Sequence, residues 1–485
     1  MAPVTKHPRT TPTIDTVRAR LRAIGQDHVL AFWDALDESA GAALVAQIDA
    51  LDLEGVPALI ERYVTHPKKA APCSVPNPVP HYPFDPESPE RPWDRDHYRA
   101  IGEKLIREGK VAAFVVAGGQ GSRLGFEGPK GKYPAGAVTG KPLFACLAEW
   151  IRAAAARGGK PIPWYVMTSP INHEETVAFF REQRFFGLAE RDVMFFAQGV
   201  MPSFDLKTGK MLLASKGELA TNPDGHGGSL RALWQSGALA DMRSRGIEHI
   251  SYFQIDNPIV RAIDPVFLGL HAAAPDSSGE MSTKIVRKTD PNEKVGVVCR
   301  TERGTEVIEY SDMPVELSEA RNADHTLRFC AGSIAIHAMS VAFVERLNAG
   351  GFGLEYHRAV KKVPHVDLGT GSVVQPASPN AVKLETFVFD ALPLCRSVVV
   401  YETDRVEEFA PIKNAEGADS PATCAAIQTE RAARWLSRAG VDVPRKADGT
   451  PDCVLEISPM TALWPEDLRG SKVPAKIERG ARVVV

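Results

Sequence analysis

The sequence predicts an α/β protein built on a largely parallel sheet with helices on both faces, and three observations carry that prediction. Short apolar runs recur from residue 111 onward, each bounded by glycine, proline or polar turn residues, as in strands buried on both faces. Between these runs lie longer segments with apolar residues at helical spacing. The first run, VAAFVVA (111–117), meets a cluster of glycines, and a glycine-rich turn at a strand's carboxyl end faces the crevice of such a sheet.

Taken in order, residues 14–66 read as helices, with TIDTVRARLRAI and VLAFWDALDESAGAALVAQIDAL rich in Ala, Leu and Arg. They form either a helical layer packed on the rest of the chain or a surface for a partner. APCSVPNPVPHYPFDPESPERPW (71–93) carries a proline every few residues, which removes backbone donors and predicts an extended connector. LFACLAEWIRAAAAR (143–157) is a helix and PIPWYVMTS (161–169) a strand. SPINHEETVAFFREQ (169–183) is a helix with Ser169 as N-cap and Pro170 at its first position. DVMFFAQG (192–199) is a strand, SLRALWQSGALADMRSRG (229–246) one helix, and HISYFQIDN (249–257) a fourth strand. Beyond about 280 the pattern is strand-rich, with KIVRK, VGVVCR, TEVIEYSD and LRFCAGSIAIH partly antiparallel. SVVVYETD, PDCVLEISP and ARVVV then flank one helix near 419–439.

A chain of 485 residues suits two or three domains. The expected division is an N-terminal helical segment and connector (1–107), a catalytic domain (108–395) and a small C-terminal α+β domain (396–485). With 57 basic and 60 acidic residues the formal charge is −3, so no bulk positive field draws nucleic acid or a membrane surface. Any polyanion must be held by a local cluster of cations. The seven cysteines are scattered and include no C-x-x-C pair, and no apolar h-region or membrane-length run is visible. These features predict a reduced, cytoplasmic protein; the expected assembly, which they do not determine, is a monomer or weak homo-oligomer.

The loop after the first strand sharpens the reading. Gly118, Gly119, Gly121, Gly125 and Gly128 surround Arg123 and Lys130. Backbone N–H groups in such a turn point at anions. A dinucleotide fingerprint needs G-x-G-x-x-G, whereas Gly119, Gly121 and Gly125 are spaced one residue too long. That spacing argues against a nicotinamide oxidoreductase. A Walker loop fails too, because Phe126 stands where its first glycine belongs and Tyr133 follows Lys132.

The remaining pattern, A-G-G-Q-G-S-R-L-G-x-x-x-P-K-G, resembles the signature of the UDP-sugar pyrophosphorylase family, closest to its eukaryotic-type N-acetylglucosamine branch. Further blocks follow in the family's order from about 108 to 460: FFAQGVMP, NPDGHGG, FQIDN, DPNEKVGVVCR, VIEYSD, VKLETFVFD and PIKNAEGADSPATC. The resemblance implies a Rossmann-like nucleotidyltransferase fold of the GT-A-like kind, a mixed sheet with helices on both faces. It implies condensation of UTP with a hexose 1-phosphate to a UDP-sugar and pyrophosphate, with Mg²⁺ as cofactor. Gly118, Gly119, Gln120, Gly121 and Ser122 would wrap the triphosphate, and Arg123, Lys130 and Lys413 would neutralise phosphate. Gln198 would read the uracil edge, with Pro223 and Gly225 against the base and sugar. Asp256 would hold the metal, and Asp390 is either a second ligand or a strand-end cap. Gly296, Glu309, Cys330 and Ser333 belong to the expected sugar pocket, together with His226.

That pocket departs from the N-acetylglucosamine pattern. His226 stands where the branch has asparagine in G-N-G-G, and Cys330 and Ser333 replace both asparagines of F-N-A-G-N. The sugar is therefore either an N-acetylhexosamine 1-phosphate or, in the alternative, glucose 1-phosphate or a broad set. A catalytically inactive sugar-nucleotide-binding regulator is the non-enzyme alternative, and the presence of Arg123, Lys130, Asp256 and Lys413 together argues against it.

Overall fold

Four parallel strands organise the molecule in a computed structural model that describes residues 12–67, 75–470 and 472–485. In spatial order they are His249–Gln254, Val111–Val116, Trp164–Thr168 and Val193–Ala197. Val111–Val115 are all buried, which is why this run has no polar alternation. Val111, Ala113 and Val115 share a core with Leu147, Trp150 and Ile151 of the helix Leu143–Gly158. On the other face the Tyr165 hydroxyl donates to Asp241 Oδ2 at 2.6 Å in the helix Ala238–Ser244. Helices thus cover both faces, as expected.

Beyond His249–Gln254 the pairing turns antiparallel. Ala331–Ser340 lies against it and pairs in turn with Met281–Arg287 and Val297–Thr301. Gly304–Ile308, Val400–Glu402 and the short Asn77–Pro78 complete a mixed ten-stranded sheet. A separate small core, with Trp435, Leu436, Leu455 and Ile477, gathers around the helix Pro421–Arg438.

Three helix expectations are corrected. The 169–183 segment begins its helix at His173, not beside Ser169. Asn172 takes the cap position, but its side chain is used elsewhere, accepting the Ser169 N–H at 2.8 Å and reaching into the glycine loop. The 229–246 segment is two helices, Gly228–Gln235 and Ala238–Ser244, broken where Gly237 adopts φ +85°, a conformation that excludes ordinary side chains. The 29–51 segment becomes two short 3-10 turns before the helix Glu38–Asp49, because the Asp37 carboxylate accepts the Ala40 N–H at 2.8 Å and starts the helix there. Residues 71–74 of the expected connector lie outside the described residues.

By internal contacts the chain forms two compact units, and neither is continuous in sequence. One combines the N-terminal segment with Gly199–Gly228 and Leu354–Phe387. The other contains the sheet: the segment ending at Gln198, Ser229–Gly353 and Val388–Val485. In the first, Val17, Leu21, Leu44 and Ile48 of the early helices share a core with Met201, Phe204 and Leu384. Gln26 stitches them polarly, accepting from Met211 N at 2.8 Å and donating to Gly209 O at 3.3 Å. No described helix is long and apolar enough to cross a membrane.

Candidate active site

The parallel strands all run the same way, so the residues just past their ends gather on one rim of the sheet. Ala117 through Lys130 leave the first strand, Gln198 leaves the last, and Asp256 follows His249–Gln254.

The glycine loop is pinned at its base. Gly121 N donates to Gly128 O at 3.0 Å and Lys130 N to Gly119 O at 3.1 Å, with Gln120 bridging Pro129. The Asn172 amide fastens it from beneath, donating to Ala117 O at 3.1 Å and Gly119 O at 3.3 Å. Ser122–Leu124 forms a 3-10 turn closed by Gly125 in the left-handed region. Gly121 is sterically required, since a Cβ there would lie 2.7 Å from the Phe126 ring and 2.8 Å from Phe126 O, while a Cβ at Gly118 would displace the Gln198 amide, 2.3 Å from its Oε1. Among the described residues, the N–H groups of Gly118, Gly119 and Gln120 donate to no other group of the chain. Three successive free donors form a ready anion cradle.

The charged residues converge beside this cradle. Lys130 Nζ is 3.7 Å from Asp256 Oδ2, both side chains largely buried. Burial pushes the Lys130 ammonium pKa below the usual lysine range. Asp256 opposes the shift, while Lys413 and Arg123 reinforce it. Four residues separated by up to 290 positions therefore share one electrostatic field. Lys413 is brought there by backbone pairing, since Ile412 N donates to Asp256 O at 2.9 Å. Its own turn is closed by Asp419, whose carbonyl accepts Lys413 N at 2.6 Å and whose carboxylate lies 3.7 Å from Nζ.

On the antiparallel side, Gly296, Glu309 and Ser333 meet. Ser333 N donates to Gly296 O at 2.8 Å, and a Cβ on Gly296 would stand 3.4 Å from Glu309 Oε1. Cys330 is partly buried, which raises its thiol pKa, and its carbonyl accepts from Lys288 N and Gly332 N. Asp390 lies in the 3-10 stretch Val388–Leu394.

Pro223, Gly225 and His226 belong to the other compact unit. There Gly225 adopts φ +83° and a Cβ would lie 2.3 Å from Thr386 O. The half-buried His226 ring stacks on Phe387 with centroids 5.2 Å apart, and burial pushes its pKa down to about 4, so it is neutral near pH 7. The buried Asp224 carboxylate fills the space that side chains on Gly199 and Gly228 would need.

Sequence reasoning missed Asn172 and Asn257, whose side chains hold the backbone of neighbouring loops, and the buried Asp224. An Asn three residues past a strand end is the only signal Asn172 offers. Among the described residues no group of three or more His, Cys, Asp or Glu side chains is arranged to hold a metal.

Comparison with known proteins gives a consistent result. The family model described as UTP–glucose-1-phosphate uridylyltransferase matches residues 94–419. A human UDP-N-acetylhexosamine pyrophosphorylase-like protein 1 is 37% identical, covering 93% of this chain and 93% of its own. The UDP-N-acetylglucosamine pyrophosphorylase of Saccharomyces cerevisiae is 38% identical over 72% of this chain and 74% of its own. Among solved structures, the uridine diphosphate N-acetylglucosamine pyrophosphorylase of Trypanosoma brucei superposes with a TM-score of 0.81 at 26% identity, covering 97% of this chain and 99% of that one.

Proposed function

The chain belongs to the UTP–glucose-1-phosphate uridylyltransferase family, and from that premise we propose that it joins UTP to a hexose 1-phosphate, releasing pyrophosphate. The proposed sugar is an N-acetylhexosamine 1-phosphate, the class that appears in the names of the human and Saccharomyces cerevisiae relatives, which match 93% and 72% of this chain. The observation that carries this reading is the convergence of Lys130, Asp256, Lys413 and Arg123 beside the free N–H groups of the glycine loop.

In this reading a sugar phosphate oxygen attacks the α-phosphorus in line, the α–β bridging bond breaks, and pyrophosphate leaves. The nucleophile is already an anion, so no general base is needed. The task is to hold two polyanions together and to meet the charge that develops, which calls for fixed donors and cations. Gly118–Ser122 cradle the triphosphate, Arg123 grips the leaving pyrophosphate, and Lys130 and Lys413 stand at the α-phosphate and the sugar phosphate. Gln198 of the sheet unit takes the uracil edge, and Pro223 and Gly225 are the candidates of the other unit for base and sugar. Gly296, Glu309, Cys330 and Ser333 are the sugar-side candidates of the sheet unit, and His226 is a candidate of the other unit.

Asp256, with Asp390 as the weaker second candidate, would hold Mg²⁺. A single buried carboxylate without a protein cage suits an ion that keeps phosphate and water ligands and neutralises phosphate charge. The catalytic span in this reading is 108–395, with 1–107 before it and 396–485 closing it and supplying Lys413. The protein works in the cytoplasm.

The departures at His226, Cys330 and Ser333 favour a second reading, glucose 1-phosphate or a broad set. The test is pyrophosphate release with UTP, Mg²⁺ and the 1-phosphates of glucose, galactose, N-acetylglucosamine and N-acetylgalactosamine. The N-acetylhexosamines should turn over fastest. Preference for glucose 1-phosphate would move the protein to the second reading, and no release with any sugar would overturn the enzyme reading.

A further inference from the structure

Asn257 follows the metal-binding candidate Asp256 and is 5% exposed. Both polar atoms of its side-chain amide bond a distant segment. Nδ2 donates to Glu408 O at 2.7 Å, and Oδ1 accepts the Ala410 N–H at 3.1 Å. One residue back, Asp256 O accepts the Ile412 N–H at 2.9 Å. Residues 408, 410 and 412 are thus lashed in alternation to the strand end, and the next residue is Lys413.

The anchor of this segment is rigid. The fully buried Glu408 carboxylate accepts two bonds from Lys284 Nζ, at 2.6 and 2.8 Å, and one from Thr403 Oγ1 at 2.9 Å. Lys284 Nζ also binds Asp264 Oδ2 at 2.6 Å. Buried charges are tolerated only when their partners are fixed and hydrogen-bonded, so this array holds the Glu408 main chain in one place.

We propose that Asn257 is a positioning residue for the transfer reaction: its amide holds the 408–412 segment so that Lys413 reaches the same phosphates as Asp256 and Lys130. The proposal rests on the reading of Lys413 as a phosphate-binding cation. A displacement of about 1 Å in a charged group can cost about 10²-fold in rate, and losing the clamp frees Lys413 to move by that much.

The test is a double-mutant cycle on the full chain, read by steady-state pyrophosphate release and thermal melting. Asn257→Ala should lower kcat about 10²-fold, raise KM for the sugar 1-phosphate, and leave KM for UTP little changed. In a Lys413→Ala background the same substitution should add no more than about twofold, the limit of ordinary additivity error. A full additional loss in that background would overturn the positioning role, because a general structural defect acts whether or not Lys413 is present. Near-normal turnover of Lys413→Ala alone would sink the reading of Lys413, a failure visible in the single variant. Asn257→Asp covers the case in which the alanine variant does not fold. It keeps the volume and the acceptor for Ala410 but loses the donor to Glu408 O, and the same non-additivity is expected.

Discussion

The Lys130 ammonium stands 3.7 Å from the Asp256 carboxylate, the first in the loop leaving Val111–Val116 and the second just past the neighbouring strand His249–Gln254. At that distance, and with both side chains largely out of water, the pair is close enough to interact strongly yet too long for a tight hydrogen bond. Lys130 also feels Lys413 and Arg123. Excess positive charge held near one carboxylate is an arrangement suited to a polyanion.

Removing one of these cations removes preorganised charge stabilisation. Lys130→Ala or Arg123→Ala should lower turnover by about 10²–10³-fold, with the melting temperature nearly unchanged. Steady-state pyrophosphate release alongside a thermal melt checks this. Near-normal turnover in either variant would exclude that residue from the chemistry.

Asn172 is fully buried and satisfies the carbonyls of Ala117 and Gly119 as well as the Ser169 N–H. Asn172→Ala takes away the partner of Ala117 O and of the Ser169 N–H, while Gly119 O keeps its bond from Lys130 N, and this should cost about 1–3 kcal/mol of stability and raise KM for UTP. Urea unfolding and UTP titration read the two effects separately. An unchanged KM would mean the loop keeps its shape without the clamp.

The depressed pKa of His226, about 4 against an ordinary 6.5, has a definite sign in stability. Between those values the unfolded chain binds more protons than the folded one, so stability is complete above the ordinary value and falls as pH drops through the window. His226→Asn cannot titrate and should make the pH dependence of the urea midpoint between 6.5 and 4 shallower, with the buried His271 and His249 keeping their own share. A slope as steep as that of the parent protein would assign the acid sensitivity to other groups.

Lys284 is fully buried between Asp264 and Glu408. Lys284→Met leaves two carboxylates without their counter-charge and should destabilise by about 3–5 kcal/mol, measured as a lowered urea midpoint. A loss under about 1 kcal/mol would mean that water or proton uptake relieves the site.

Much of the sheet was legible because its strands are continuous apolar runs, and the glycine loop because its spacing excluded two familiar phosphate motifs. The helix starts were less legible. Ser169 has the chemistry of a cap, yet Asn172 occupies that place while its amide serves the loop beneath. Nothing in SLRALWQSGALADMRSRG distinguishes a tolerated glycine from the break at Gly237 until its φ is known. The first helices read as a separate layer, whereas their apolar faces complete a core with strands some 150 to 370 residues away.

By itself the sequence determined the class of fold, the glycine loop as the candidate anion site, and which cations and carboxylate to examine, since these depend on local pattern and residue chemistry. Only the tertiary structure decided that Lys130, Asp256, Arg123 and Lys413 share one field, that Asn257 ties the last of them in place, and that His226 is neutral. Those properties arise from distance and burial between residues far apart in the chain, and linear order carries neither.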